Sequence, residues 1–234
     1  EKIRKFETPE SLNHYLRLST YALKGQGESQ SPAIETEFSE SVQSPVMAEI
    51  APSTLSNCIA SLPEEAELLR RKEFSVYCET GENLPEPIMN EIGRLREVTF
   101  REAGEGTGTA CDLDQYDPAY HQLFLWNHDT SELVGAYRLC LMDKIIQKYG
   151  PEGLYSATLF DLKPGFLKEL GRTVELGRSF IRPEYQRKYA SLSLIWQGIG
   201  KFLARHPEYE NLYGCVSLTA DYAPISRDLM VQFL

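Results

Sequence analysis

The sequence predicts an α/β fold: a mixed central sheet with helices on both faces. Three observations predict it. From residue 74 onward, strand-like and helix-like apolar periods follow one another in the order strand, helix, strand, strand, helix, strand, helix, strand, helix. Residues 188–205 carry the clearest helical stripe, Leu192, Ile195, Trp196, Ile199, Phe202 and Leu203. Residues 172–182 read as an apolar strand that is broken by Glu175 and Arg178 and stopped by Pro183.

The elements are justified in chain order. Residues 8–23 read as a helix, with Thr8 as cap, Pro9 at the first helical position, and Leu12, Tyr15, Leu16 and Leu23 along one side. Residues 24–50 are rich in Gly, Ser, Pro, Gln and Glu and read as a loosely ordered linker. Residues 51–71 are expected to hold a short helix ending in Leu68-Leu69-Arg70-Arg71. Phe74 to Cys78 alternates like a strand, and residues 86–101 read as a helix after Pro85. Residues 121–126 and 132–139 read as two strands joined by a polar turn. A helix over 141–149 ends at Gly150, and Leu212 to Leu218 reads as a buried strand. Residues 224–234 begin a helix in which the chain stops. Three regions follow: a helical tail at 1–23, a linker with a short helix at 24–71, and the α/β domain at 72–234.

Composition narrows the function. The 234 residues, 42% hydrophobic, suit one domain with an ordinary core plus extra segments. No run of apolar residues is long enough to span a membrane. The N-terminus has neither an initiator Met nor a signal-peptide apolar region, so a piece of something longer is expected. Cys58, Cys78, Cys111, Cys140 and Cys215 are scattered, which disfavours a zinc site or disulfide framework and points to a reducing cytoplasm. A net charge of -10 argues against nucleic-acid binding. Between Lys163 and Lys188, however, seven basic residues face three glutamates, a local net of +4 that suits an anionic partner.

Charges that break an apolar pattern are the informative ones. In the 86–101 helix, Arg96 falls on the side of Ile88, Met89, Ile92, Leu95 and Phe100. It reads either as an arginine snorkelling from the edge of the stripe or as a buried cation aimed at a carboxylate. Arg94, Glu97 and Arg101 fall on the opposite, solvated side. Asp112, Asp114 and Asp117 read first as a solvated turn built on Asx hydrogen bonds. The second reading is a set of carboxylates that bind an amine or orient an arginine. A calcium loop is disfavoured, because the glycine and distal glutamate of an EF-hand are missing. The glycine-rich stretch 104–108 has no following Lys-Ser or Lys-Thr, so it reads as a flexible lid and not a P-loop. Arg138, at the end of a strand, carries little by itself. Period two puts Glu175 and Arg178 on opposite faces, and a bulge near Gly177 would bring them to one. The plain alternative is two charges at a sheet end.

Together these residues form an ordered pattern: Arg96 with Phe100, Asp114 with Asp117, Gly135 with Arg138 and Leu139, and Glu175 with Arg178. The stretch from Glu91 to Leu234 resembles the GNAT-superfamily N-acyltransferases that make ornithine and related aminolipids, a group also labelled hemolysins. More distantly it resembles the acyl-homoserine-lactone synthases. Residues 6–23 resemble the tail of a glycerolphosphate-type acyltransferase domain. The resemblance implies a GNAT-like fold, and transfer of an acyl or 3-hydroxyacyl group from an acyl carrier protein thioester to the amine of an amino acid such as ornithine, giving a lyso-aminolipid. It implies Glu175, Arg178, Arg96, Asp114, Asp117 and Arg138 as the catalytic group, and Phe100 and Ser179 as substrate contacts. Gly177, Arg187, Lys188, Ala190 and Ser191 would hold the donor's phosphopantetheine arm, with no metal and no permanently bound cofactor. The turn Arg187 to Leu192 lacks the glycines usual before this helix in coenzyme A users. A helix N-terminus still binds phosphate there, but the missing glycine favours a carrier protein over coenzyme A. Acyl carrier protein and an amino acid are the implied partners, with a peripheral contact at the inner face of the membrane allowed.

The implied mechanism is direct attack of the amine on the thioester. Glu175 takes the proton, directly or through a water, and a backbone N–H near Gly177 holds the oxyanion. The three arginines order Asp114 and Asp117 or clamp the acceptor's carboxylate. The rival mechanism is a cysteine nucleophile, Cys111 or Cys140, with His121 approaching Cys111 in space. The rival functions are a non-catalytic module that binds acyl carrier protein or membrane, a coenzyme A-dependent N-acetyltransferase, and a homoserine-lactone-type signal synthase.

Overall fold

A computed structural model describes residues 43–187, 189–215, 217 and 222–233. The expected helix at 8–23 and the linker up to residue 42 lie outside the described residues. The chain divides into two compact units, Glu40–Cys215 and a second made of Glu1–Ser39 with Val216–Leu234. The elements, in chain order, are α1 (Pro52–Ala60), β1 (Glu67–Arg71), β2 (Phe74–Thr80), α2 (Glu86–Glu102), β3 (His121–Asn127), β4 (Glu132–Leu141) and α3 (Met142–Tyr149). They continue with α4 (Pro164–Leu170), β5 (Thr173–Ile181), α5 (Pro183–Gln186), α6 (Tyr189–Arg205) and β6 (Asn211–Gly214). In the second unit, α7 (Pro224–Phe233) is the described helix.

The six strands form one sheet in sequence order. Neighbours from β1 to β5 are antiparallel, and β5 pairs with β6 in parallel. This is the mixed sheet that the periodicity predicts. Pleating sends alternate residues to opposite faces. Leu123, Leu125, Leu139 and Val174 pack with Ile195, Ile199 and Phe202 of α6. Phe124, Trp126 and Ala136 face the other way, onto Ile88, Ile92 and Leu95 of α2 and onto Leu55 and Ile59 of α1. Each fully buried aliphatic side chain of this kind contributes about 1.5–3 kcal/mol. Local signals set the ends: Gly150 takes φ +77° after α3, and Pro183 both stops β5 and starts α5.

Four expectations are corrected. Leu68-Leu69-Arg70-Arg71 is not a helix end: the helix stops at Ala60, and these residues form β1, an edge strand paired to β2. The body therefore begins before residue 72. β6 covers Asn211–Gly214, of which Asn211, Leu212 and Gly214 are exposed where a buried strand was expected, because among the described residues it has one neighbour; Val216 and Leu218 lie outside the described residues. On α6, Leu192 and Trp196 are each 46% exposed, while Leu194 joins the core.

The fourth correction concerns α2. Its supposedly solvated side is covered by the loop after it, so Glu97 is fully buried. Thr107 N and Oγ1, Gly108 N and Arg101 Nε all donate to its carboxylate at 2.6–3.0 Å. Burial pushes that carboxyl up, but these donors outweigh burial and hold it below the ordinary Glu value. The glycine-rich loop is thus tied down, where a free lid was expected. Residues 43–47 lie along it, with Ser44 N donating to Gly108 O and Met47 N to Ala110 O.

Gly81 shows how tightly the next loop is seated. A Cβ there would stand 2.1 Å from the carbonyl oxygen of Asp117. Gly81→Ala is expected to destabilise the protein by about 1–3 kcal/mol through overpacking against backbone, measured by urea denaturation.

Candidate active site

The site grows out of one irregularity in the sheet. Arg138 pairs with Gly177 and Ala136 with Phe180, so β4 advances by one intervening residue where β5 advances by two. The extra residue is a bulge, and Arg178 within it takes the left-handed conformation at φ +48°. The bulge lies next to Gly177, as the sequence implied, but the strained residue is Arg178 itself. Past the bulge the faces swap: Phe180 joins the α2 side and Ile181 the α6 side. Glu175 and Arg178 consequently address the same side of the sheet.

On that side the three arginines meet the three aspartates. Arg96, fully buried, donates Nη1 to both oxygens of Asp117 at 3.1 and 3.2 Å and to the Asp112 carbonyl at 3.0 Å. Its Nη2 reaches Gln122 Oε1. Arg138 Nη1 stands 2.6 Å from Asp114 and 3.1 Å from Asp117. Arg178 pairs with Asp112 at 3.1 Å and with Asp114 at 3.6 Å. The arginine-orienting reading of the aspartates fits this geometry, and Arg96 is the buried cation rather than a snorkelling one. Asx bonds are present too, since Asp114 accepts from Tyr116 N and Asp117 from Asp114 N. Tyrosines line the guanidinium faces: Arg138 lies 5.1 Å from the Tyr120 ring and 4.9 Å from Tyr155, and Arg178 lies 5.0 Å from Tyr155 and 6.0 Å from Phe100.

Burial pushes the Asp117 carboxyl up, but Arg96 and Arg138 outweigh burial and hold it below the ordinary Asp value. Asp112 moves the other way: burial raises it, against the pull of Arg178 and Arg96.

Glu175 stands apart from the arginines. It is 3% exposed, opposite Cys140 on β4 and Tyr213 on β6. Tyr120 Oη donates to its Oε2 at 2.6 Å, Ser156 N to Oε1 at 2.9 Å, and Cys140 Sγ to Oε2 at 3.5 Å. Arg178 is engaged by Asp112 and Asp114, one of the roles expected of it, with its left-handed backbone in the bulge.

A cleft of about 530 Å³ opens beside the bulge, lined by Thr99, Phe100, Tyr137, Ser179, Ile181 and Leu192 among others. It brings the expected substrate contacts Phe100 and Ser179 together. β5 pairs with β6 through Leu176 only, and its residues 177–181 have no described partner on that side. Of the residues expected to hold the donor's phosphate, Arg187 and Ala190 are exposed, Ser191 is buried, and Lys188 lies outside the described residues. The basic window is partly neutralised within the fold, since Arg178, Arg182 and Lys163 all have acidic partners.

Among the described residues, the histidine that the cysteine mechanism called for is not beside Cys111. His121 stacks on Phe202 of α6, whereas Cys111 Sγ contacts the α2 side near Asn90 and Gly93. Burial pushes the Cys111 thiol up to about 11 and raises Cys140 further. Among the described residues, no group of His, Cys, Asp and Glu is placed to hold a metal ion, and no helix is long and apolar enough to cross a membrane.

Sequence reasoning missed Tyr120, Gln122, Tyr155 and Ser156. Gln122 left a signal, a polar residue inside the apolar run of β3. Tyr120 left none, because its hydroxyl partner lies far away on β5.

Residues 95–197 match the model of the acetyltransferase (GNAT) domain family. The chain is 37% identical over 198 residues to a glycine N(alpha)-acyltransferase of Phocaeicola vulgatus, covering 79% of this chain and 60% of that protein. It is 28% identical over 146 residues to an L-ornithine N(alpha)-acyltransferase of Agrobacterium fabrum, covering 60% and 48%. The chain therefore spans about half to three-fifths of the length of these relatives. Among solved structures, the AHL synthase LasI aligns at 15% identity and a TM-score of 0.41, covering 68% of this chain and 77% of its own, too low for any inference from the superposition.

Asp117 is shared by two buried arginines and, among the described residues, is the one side-chain carboxylate paired with Arg96, so Asp117→Asn is expected to lose about 3–5 kcal/mol at neutral pH. The sign of the pH effect follows from the depressed carboxyl. Its stabilisation is complete above the ordinary Asp range and is lost as pH falls through that range, below about pH 4. Urea denaturation should therefore show a gap between wild type and variant that narrows in acid. A gap that stays constant would overturn this account.

Proposed function

We propose, on the match of residues 95–197 to the acetyltransferase (GNAT) domain family, that the chain is an N-acyltransferase that moves an acyl group from a phosphopantetheine thioester to the α-amine of an amino acid. One observation carries the reading. A buried glutamate with only neutral donors, Glu175, lies beside three aspartate-held arginines where β5 bulges and, among the described residues, has no outer neighbour. The cleft takes the acyl chain against Phe100, Ser179 and Leu192. The edge of β5 at residues 177–181, without a described partner, takes the amides of the pantetheine arm as an added strand would. The amine nitrogen attacks the thioester carbon, the carbon–sulfur bond breaks, and the sulfur leaves as the free thiol, carrying one of the two protons that the ammonium group sheds. An amino acid's amine is mostly protonated at neutral pH, so Glu175 serves as proton acceptor. A backbone N–H of the bulge stabilises the oxyanion. The buried arginines keep the site rigid and supply the field that holds the acceptor's carboxylate.

Glycine is the favoured acceptor over ornithine. Asp112, Asp114 and Asp117 are engaged by arginines and Glu175 by Tyr120 and Ser156, which leaves these four less available to a second ammonium group. The relatives named for glycine are also the more similar, at 37% and 36% identity against 28% to 30% for those named for ornithine. For the donor, the turn without glycine before α6 favours acyl carrier protein over coenzyme A. Arg172 and Arg187, both exposed, offer basic contacts to that acidic protein. The product is then an N-acyl amino acid, a lyso-aminolipid when the acyl group is 3-hydroxylated. It would be made in the cytoplasm, at the inner face of the membrane. Residues 1–23 are read as the end of an upstream acyltransferase domain and residues 24–42 as its linker.

The test is release of free thiol from an acyl carrier protein thioester and from acyl-coenzyme A, with glycine, with ornithine and with no amine. Glycine-dependent release is expected; no amine-dependent release with any donor would leave a binding module. In the same assay Glu175→Gln should lower kcat by about 10²–10⁴-fold, and a loss within about threefold would remove Glu175 as the base.

A further inference from the structure

We propose that Tyr120 is a positioning residue for the proton-accepting step, setting the orientation and proton affinity of Glu175; this rests on the N-acyltransferase reading above. Tyr120 lies in the loop before β3 and is 2% exposed. Its hydroxyl donates to Glu175 Oε2 at 2.6 Å and accepts from the backbone N–H of Tyr155 at 2.8 Å. The hydroxyl proton has two acceptors within reach, Glu175 Oε2 at 2.6 Å and the Gly153 carbonyl at 3.4 Å, and the much shorter contact directs it at Glu175. The next residue, Ser156, donates its own N–H to the other carboxylate oxygen. One turn, Tyr155–Thr158, thus fixes both ends of the carboxylate, one directly and one through Tyr120. The Tyr120 ring also lies 5.1 Å from the Arg138 guanidinium, so the residue joins the arginine cluster to the glutamate.

The groups that face Glu175 are Tyr120, Cys140, Tyr213 and Cys215, all neutral acids at physiological pH. The arginines belong to the aspartates. Hydrogen bonds therefore take the place of a counter-ion at Glu175. Among them the Tyr120 bond is the shortest. A donor to the ionised form favours that form, so removing it makes the carboxyl lose its proton only at higher pH. The acid limb of the kcat/KM profile reports that ionisation in the free enzyme.

The experiment uses the full chain with glycine and a palmitoyl thioester of acyl carrier protein. Tyr120→Phe keeps the ring against Arg138 and deletes only the hydroxyl. The expected result is an acid limb moved to higher pH, with kcat lowered about tenfold at neutral pH and the KM for glycine within about threefold. Cys140→Ala, which removes the weaker donor to the same oxygen, should move the limb in the same direction by less. It keeps the proposal testable if Tyr120→Phe folds poorly. An acid limb that stays in place in both variants overturns the proposal, whatever happens to the rate. Glu175→Gln separates the two levels. If it abolishes the limb while Tyr120→Phe leaves the limb unmoved, only the role of Tyr120 fails. If it leaves activity and limb intact, the base assignment itself fails.

Discussion

Asp117 shared between two buried arginines is the interaction on which the rest of the site depends. Arg96 comes from the helix over the sheet, Arg138 from the sheet itself, and Asp117 from the loop between them. Neither guanidinium is tolerable in the core without a carboxylate; among the described residues Asp117 is the one side-chain carboxylate paired with Arg96, and Arg138 shares it with Asp114. The loop is therefore bound to its place by the needs of residues on two other elements. Once it is there, Asp112 and Asp114 stand ready for Arg178, and Tyr120 arrives over Glu175. Fold and site are two descriptions of one electrostatic requirement.

That arrangement divides labour among the carboxylates. Three are matched to arginines and serve structure and field. The fourth, Glu175, is held by a phenol, a thiol and an amide, and lacks a guanidinium clamp. A carboxylate locked to a guanidinium is a poor proton acceptor, whereas one held by neutral donors keeps its charge available. The separation depends on the left-handed turn of Arg178, which carries its side chain to the aspartates and leaves the glutamate without a cation.

Much of this was legible in the sequence, for identifiable reasons. The core faces of β3, β5 and α6 repeat with simple periods, and Arg96, Glu175 and Arg178 were visible because each violates its own period. Glu97 was misread for the complementary reason: helical periodicity reports which side faces the sheet and is silent about a loop that returns to cover the other side. β1 was missed because Leu68-Leu69 suits either a helix end or a short edge strand, and pairing with β2 decides between them. Tyr120 was illegible in principle. A tyrosine counts as apolar in any pattern, and its hydroxyl acquires a role only when β5 is brought beside it.

The bulge at Arg178 has a consequence for how such a sheet can change. One extra residue inverts which face every later side chain of β5 addresses, so Phe180 and Ile181 each reach their own core only because it is present. Losing that residue would act on the strand as a frameshift acts on a reading frame: everything downstream would be misassigned at once. The length of β5 is thereby frozen by two cores as well as by chemistry. Variation in what the protein accepts is left to the loops and to the cleft walls, where a residue can be exchanged without renumbering the faces.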